Sequence, residues 1–179
     1  MALTATMYRF NVQLSDVDRA VYETIDLRVA QQPSETAEYM LTRVLAFCLE
    51  YGEGIALTEG VASGDEPAVL IRDLTGRITA WIEVGAPDAD RLHRGSKLAG
   101  RVAVYTHRDP AMVIDQLAKK KIHGGAEIPI YSFGRGFIER AAADLPRRAS
   151  LSLTLTERQL YLDIDDRSFS TTIEERRAG

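Results

Sequence analysis

Apolar residues recur at every second position near the start of the chain and again near its end, the period of a strand with one buried face. Tyr8, Phe10, Val12 and Leu14 mark the first run, from Met7 to Leu14, and Val21, Ile25, Leu27 and Val29 mark the second. Between them, Ser15-Asp16-Val17-Asp18 has the short polar side chains that bond their own backbone in turns. The pattern predicts an antiparallel hairpin over residues 4–30. Leu151, Leu153 and Leu155, followed by Leu160, Leu162 and Ile164, predict a second hairpin joined through Glu157-Arg158-Gln159.

The period changes after Pro33. Ser34 offers a capping hydroxyl, and Met40, Leu41, Val44, Leu45 and Cys48 follow at helical spacing, so a helix is predicted over 34–51, closed by Gly52 and Gly54. Ile55 to Leu57 and Val69-Leu70-Ile71 read as short strands around a polar turn, Ser63-Gly64-Asp65-Glu66-Pro67. Leu74-Thr75-Gly76-Arg77 then connects tightly into Ile78 to Val84, with Ile78, Ala80, Ile82 and Val84 on one face and Trp81 and Glu83 on the other. A helix at 88–99, an apolar strand Val102 to Tyr105, a helix at 110–121 and a strand Glu127 to Ser132 alternate as crossovers between parallel strands do. A last helix is predicted over 134–143, after Gly134 and Gly136. These elements add up to an α/β fold: a single domain over 1–179 with a mixed sheet flanked by helices. Its core at 55–132 is wound through crossovers, the hairpins are antiparallel additions, and the C-terminal helix and hairpin fill 134–174.

Composition narrows the class. With 45% apolar residues the chain can bury a core, while 27% charged residues and the lack of a long apolar run argue against a membrane span. The opening Met1-Ala2-Leu3-Thr4 has no basic segment leading into an apolar one, so export is not expected. A single cysteine, Cys48, excludes an intramolecular disulfide and a multi-thiolate zinc site, and a reducing cytoplasm fits best. The 22 basic and 26 acidic residues give a formal charge of −4, against a wholly cationic surface but compatible with a local basic patch.

Common catalytic signatures are absent: there is no G-x-S-x-G elbow, no phosphate loop and no H-E-x-x-H, and Gly134-Arg135-Gly136 lacks the third glycine of a dinucleotide fingerprint. His93, His107 and His123 stand apart in sequence. The carboxylates carry more. Asp65 and Glu66 lead into one strand and Glu83 ends the next, so a hairpin between them brings these acids to one sheet margin, where a hard cation such as Mg²⁺ or Mn²⁺ takes one or two carboxylates. In the helix that follows, Arg91, Arg94, Lys97 and Arg101 fall in one arc, with Leu92, Ser96, Ala99 and Ala103 opposite, so one face is basic. Lys119-Lys120-Lys121 sits at a predicted helix C-terminus, where cations favour the helix dipole.

In the segments Pro33-Ser34-Glu35-Thr36, Gly64-Asp65-Glu66-Pro67, Trp81-Ile82-Glu83-Val84-Gly85 and Pro87-Asp88-x-x-Arg91, the chain resembles the YaeQ family of bacterial proteins. The opening Met1-Ala2-Leu3-Thr4-Ala5-Thr6-Met7-Tyr8 is similar to that family's start, and the likeness runs over essentially the whole length. The resemblance implies a variant of the PD-(D/E)-x-K restriction-endonuclease-like fold, with a Mg²⁺ or Mn²⁺ site for phosphodiester hydrolysis. It places Asp65 or Glu66 as the first acid, Glu83 as the acid of Glu-x-Lys and Glu35 as an additional ligand on the preceding helix. The lysine is missing, since Gly85 stands two residues after Glu83. Lys97 or Arg94 is the expected substitute, Lys97 being the better proton carrier, and Arg91 and Arg94 are expected to bind substrate phosphate. Two readings follow: a metal-dependent nuclease or phosphodiesterase, or a non-catalytic module that binds nucleic acid or protein on a degenerate nuclease fold.

Overall fold

In the computed structural model of the chain, residues 4–59 and 64–178 are described. Ser63 of the expected polar turn and Met1, Ala2 and Leu3 of the opening lie outside them. The chain divides into two compact units, one made of residues up to Leu41 together with Phe133–Glu174, the other of Thr42–Ser132 with the residues from Glu175 onward. The expected α/β class with mixed sheets and flanking helices is what the chain adopts. The single mixed sheet expected from the pattern is instead two, because the terminal hairpins pair with each other rather than with the crossover strands.

The first unit is built on strands β1 (Thr6–Asp16), β2 (Val21–Gln31), β8 (Arg148–Thr156), β9 (Gln159–Ile164) and β10 (Arg167–Thr172), in the order β10-β9-β8-β1-β2. The first hairpin is longer than its apolar alternation, so Ser15 and Asp16 belong to β1 and the turn is Val17 to Ala20. Asp16 is fully buried there and accepts from the Arg19 backbone N–H at 3.1 Å and from its Nε at 2.7 Å. β1 runs parallel to β8, placing Val12 beside Leu151 and Leu14 beside Leu153. With Phe10, Leu27, Leu160 and Leu162 these side chains form one buried face. Asp18 reaches the turn between β8 and β9, accepting from the N–H groups of Glu157 at 2.7 Å and Arg158 at 3.1 Å. Both turn residues have positive φ, 48° and 65°, the left-handed conformation that a two-residue hairpin turn requires. Helix α4 (Phe137–Ala142) begins after Gly136, whose φ is 79°, and lies against β10.

Helix α1 (Ala37–Leu49) spans the division between the units. Its cap is Thr36 rather than the expected Ser34: the Thr36 hydroxyl accepts from the Tyr39 N–H at 3.0 Å. Met40 to Leu49 are all buried.

The second unit holds β3 (Ile55–Leu57), β4 (Val69–Arg72), β5 (Ile78–Val84), β6 (Arg101–Thr106), β7 (Pro129–Ser132) and β11 (Glu174–Arg177), in the order β11-β7-β6-β5-β4-β3. β3, β4 and β5 are antiparallel neighbours, and β5, β6 and β7 are parallel, as the crossover pattern predicts. The crossovers are α2 (Ala89–Leu98) and α3 (Pro110–Ala118), capped by the Asp88 and Asp109 carboxylates on the N–H groups of Arg91 and Ala111, both at 2.9 Å. Leu92, Val113 and Leu117 from these helices pack with Trp81, Val104 and Ile130 in one core. Gly95 lets α2 lie tight against β5, since a Cβ there would stand 2.6 Å from the Trp81 ring.

Candidate functional site

The site begins with a solvation problem. Ala80 to Val84 of β5 are buried on both faces, and Glu83 is only 2% exposed, so its carboxylate must find partners in the protein. After β5 the chain turns at Gly85, whose φ of 83° no lysine adopts without strain and whose N–H donates to the Tyr105 carbonyl at 2.8 Å. That turn, and the Asp88 cap that fixes the Arg91 N–H, return the first turn of α2 toward the end of β5.

Arg91 meets the acid there. Its Nε donates to Glu83 Oε2 at 2.6 Å and its Nη2 to Oε1 at 3.3 Å, a two-pronged pairing, while the Ala68 N–H donates to Oε1 at 3.2 Å. The same Nη2 donates to the Glu66 main-chain carbonyl at 2.6 Å. The arginine thus ties β5 to the segment leading into β4. The ion pair is largely dry, its side chains 25% and 3% exposed. Burial pushes the Glu83 carboxyl above its ordinary pKa, and the Arg91 guanidinium and the Ala68 N–H pull it back only in part.

The other predicted residues sort around this pair. Asp65, with a fully exposed side chain, faces Arg94, whose Nη1 stands 3.3 Å from Asp65 Oδ1 and donates to the Gly64 carbonyl at 2.7 Å. Glu66 enters through its carbonyl, not its carboxylate. Lys97 is exposed on α2. Glu35 is buried just ahead of α1, with its N–H on the Gln32 carbonyl and its own carbonyl accepting from Gln31, and it belongs to the first unit whereas Glu83 belongs to the second. The predicted basic face of α2 is therefore divided: Arg91 turns inward, Arg94 holds the Asp65 loop, and Arg101 is no helix residue but opens β6, where it pairs with Glu50. Ala103 likewise lies in β6.

Both Glu83 oxygens accept hydrogen bonds from Arg91 and Ala68, and among the described residues no group of three or more His, Cys, Asp or Glu side chains is placed to hold a metal. Other nucleophile candidates are quiet: Cys48 is fully buried, and burial pushes its thiol up to about 12. The histidines are less separate than their spacing implies, for His93 Nδ1 accepts from the His123 N–H at 3.4 Å.

A second polar constellation has no counterpart in the sequence reading. Glu50, just past α1, accepts from the Tyr105 hydroxyl at 2.8 Å and from Arg101, and Tyr105 stacks on Tyr131 with ring centroids 4.8 Å apart. Arg101 and Tyr131 also line a cavity of about 430 Å³ with Ser96, His123 and Arg177, which includes neither Glu83 nor Arg91. More than fifty residues separate Glu50 from Arg101 and Tyr105, and no local pattern announces the contact.

Fold and site together describe a mixed α/β protein whose buried strand acid is held by an arginine from the following helix. The family model for YaeQ protein matches residues 1–173. YaeQ of Escherichia coli strain K12 is 29% identical over 174 residues, 97% of this chain and 96% of that protein, and YaeQ of Salmonella typhi is 30% identical over 163 residues, 90% of each. The crystal structure of YaeQ protein from Pseudomonas syringae superposes with a TM-score of 0.87 at 30% identity, covering 98% of both chains. That of YaeQ protein from Xanthomonas axonopodis pv. citri gives 0.86 at 27% identity, covering 98% of this chain and all of that one (100%). The chain belongs to the YaeQ family. Among the described residues, no helix is long and apolar enough to cross a membrane.

Proposed function

We propose that the chain is a non-catalytic nucleic-acid-binding module that keeps the framework of a PD-(D/E)-x-K nuclease without its metal chemistry. One observation carries this reading: the Arg91 guanidinium and the Ala68 N–H occupy both oxygens of Glu83, the acid that a nuclease of this pattern would present to Mg²⁺. An internal cation partners the carboxylate, so a metal ion would have to compete with the Arg91 guanidinium for it. The lysine position supports the same view, because Gly85 sits in a left-handed turn. Arg94, Lys97, Lys119 and Lys121 are exposed on the second unit and supply the local positive charge that a phosphodiester backbone takes. A cytoplasmic setting belongs to this reading.

Labelled single- and double-stranded DNA and RNA, incubated with the protein in Mg²⁺ and then in Mn²⁺, test it. The expected result is no metal-dependent cleavage, with salt-sensitive binding that Arg94→Ala and Lys97→Ala weaken. Cleavage that needs the metal and disappears in Glu83→Gln would overturn the proposal in favour of a nuclease using Asp65, Glu66, Glu83 and Glu35 as ligands with Lys97 as the cation. Neither cleavage nor salt-sensitive binding would point to a protein partner.

A further inference from the structure

Three arginines stand abreast on the outer face of the first unit's sheet. Arg9 on β1 is directly opposite Arg28 on β2 and directly beside Arg148 on β8. Their neighbours in sequence, such as Phe10, Leu27 and Val29, are buried on the other face, so the three guanidinium chains project to the same exposed side. Arg147 joins them, and the four arginines with Met7 and Tyr8 line a cavity of about 420 Å³ that no carboxylate lines.

Like charges placed opposite one another in a sheet are destabilising. The next row along the same face, Asp26, Asn11 and Ser150, brings one acid and two neutral residues, and Thr24, Gln13 and Ser152 continue without charge. Repulsion is therefore confined to one row. Its only compensation among the described residues is Asp26, which accepts from Arg9 Nη2 at 2.9 Å and Nε at 3.3 Å. That pair is about half exposed and contributes little. Arg28, Arg147 and Arg148 carry no ion pair among the described residues.

We propose that this cavity is a binding site for a ligand carrying two or more phosphate groups in a row. Neighbouring strands lie about 4.7–4.9 Å apart, so the row from Arg28 to Arg148 spans roughly 10 Å, wider than one phosphate and matched to successive ones. Each guanidinium is a planar fork suited to two phosphate oxygens, and a polyanion converts the cost of three adjacent cations into attraction. Met7, 56% exposed, gives the cavity an apolar wall. The site belongs wholly to the first unit and stands whatever becomes of the Glu83 reading.

Calorimetric titration of the whole chain at low ionic strength tests it, with inorganic tripolyphosphate as the probe, orthophosphate as the short control and a short single-stranded DNA as the long one. Tripolyphosphate is expected to bind and to raise the melting temperature, with orthophosphate at least ~10-fold weaker. The double variant Arg28→Gln with Arg148→Gln keeps the apolar stems, and it is expected to weaken tripolyphosphate at least ~10-fold while raising the ligand-free melting temperature. DNA that binds more tightly than tripolyphosphate, with the same dependence on Arg28 and Arg148, identifies the phosphates as a nucleic-acid backbone; the reverse order identifies a small polyphosphate. Both results uphold the site. Absence of binding by tripolyphosphate and DNA alike, affinity that the double variant leaves unchanged, or orthophosphate binding as tightly as tripolyphosphate overturns it. Arg94→Ala and Lys97→Ala, which probe the second unit, separate a failure here from a failure of the proposed function.

Discussion

Arg91 Nε stands 2.6 Å from Glu83 Oε2, a contact between residues eight apart that joins the end of β5 to the first turn of α2. Removing the arginine leaves a buried carboxylate without its counter-charge. Arg91→Ala is therefore expected to destabilise the fold by about 3 kcal/mol in urea titration, and the double variant Arg91→Ala with Glu83→Gln to recover part of the loss, since the charge is then gone as well. A single variant as stable as the parent would mean that water replaces the guanidinium without cost.

Glu83 should also report its burial through pH. Its folded-state pKa lies above the ordinary glutamate value, so the folded state binds the proton more tightly than the unfolded chain. That contribution is complete below the unfolded value and is lost as pH rises through the folded one. Relative to Glu83→Gln, the parent is expected to gain melting temperature as pH falls from neutrality into the carboxylate range, and carbon-detected NMR titration should give Glu83 a midpoint above that of an exposed glutamate. A midpoint at or below the ordinary value would show that Arg91 outweighs desolvation.

Gly85→Lys restores the Glu-x-Lys spacing but forces a residue with a Cβ into φ of 83°. The expected outcome is a loss of about 1–2 kcal/mol in stability with no gain of Mg²⁺-dependent cleavage. Cleavage by this variant would show that the lysine alone was lacking.

Gly95→Ala tests the seat of α2 on β5. In a solvent-facing helix the change stabilises, by about 1 kcal/mol. Here the new methyl meets the Trp81 ring, and a net loss of about 1–2 kcal/mol is expected in thermal or chemical denaturation.

Legibility in the sequence follows the range of the interactions. The helices, the crossovers and both hairpins are local, and their periods announce them, while the Asp88 and Asp109 caps come from the structure alone. β10 and β11 have no such pattern, because Ser168, Ser170, Thr171 and Thr172 are half-polar strand residues and Glu174 to Arg177 are all charged. The parallel pairing of β1 with β8 is invisible in either segment alone, and it divides one expected sheet into two. At the site, Glu83 is singled out by its apolar neighbours, yet helical geometry groups Arg91 with the exposed cations. The available signal was the cost of burying Glu83: an acid between Ile82 and Val84 demands a cation, and the first helical turn after Gly85 is the nearest source. Gly85 reads as a missing lysine until its φ is known, and then as a turn.

The pairing of β1 with β8 also sets a timetable. Translation releases the β1–β2 hairpin well before β8, the strand that pairs with the other side of β1. At ~5–20 residues per second the partner strand is synthesised on the order of ten seconds later, after the intervening strands and helices have been made. For that interval the nascent chain carries an unpaired, greasy edge strand of the kind that invites wrong partners. A strand pair made early is thus completed late, and its passage off the ribosome is a stage at which a holdase chaperone has an open edge to protect.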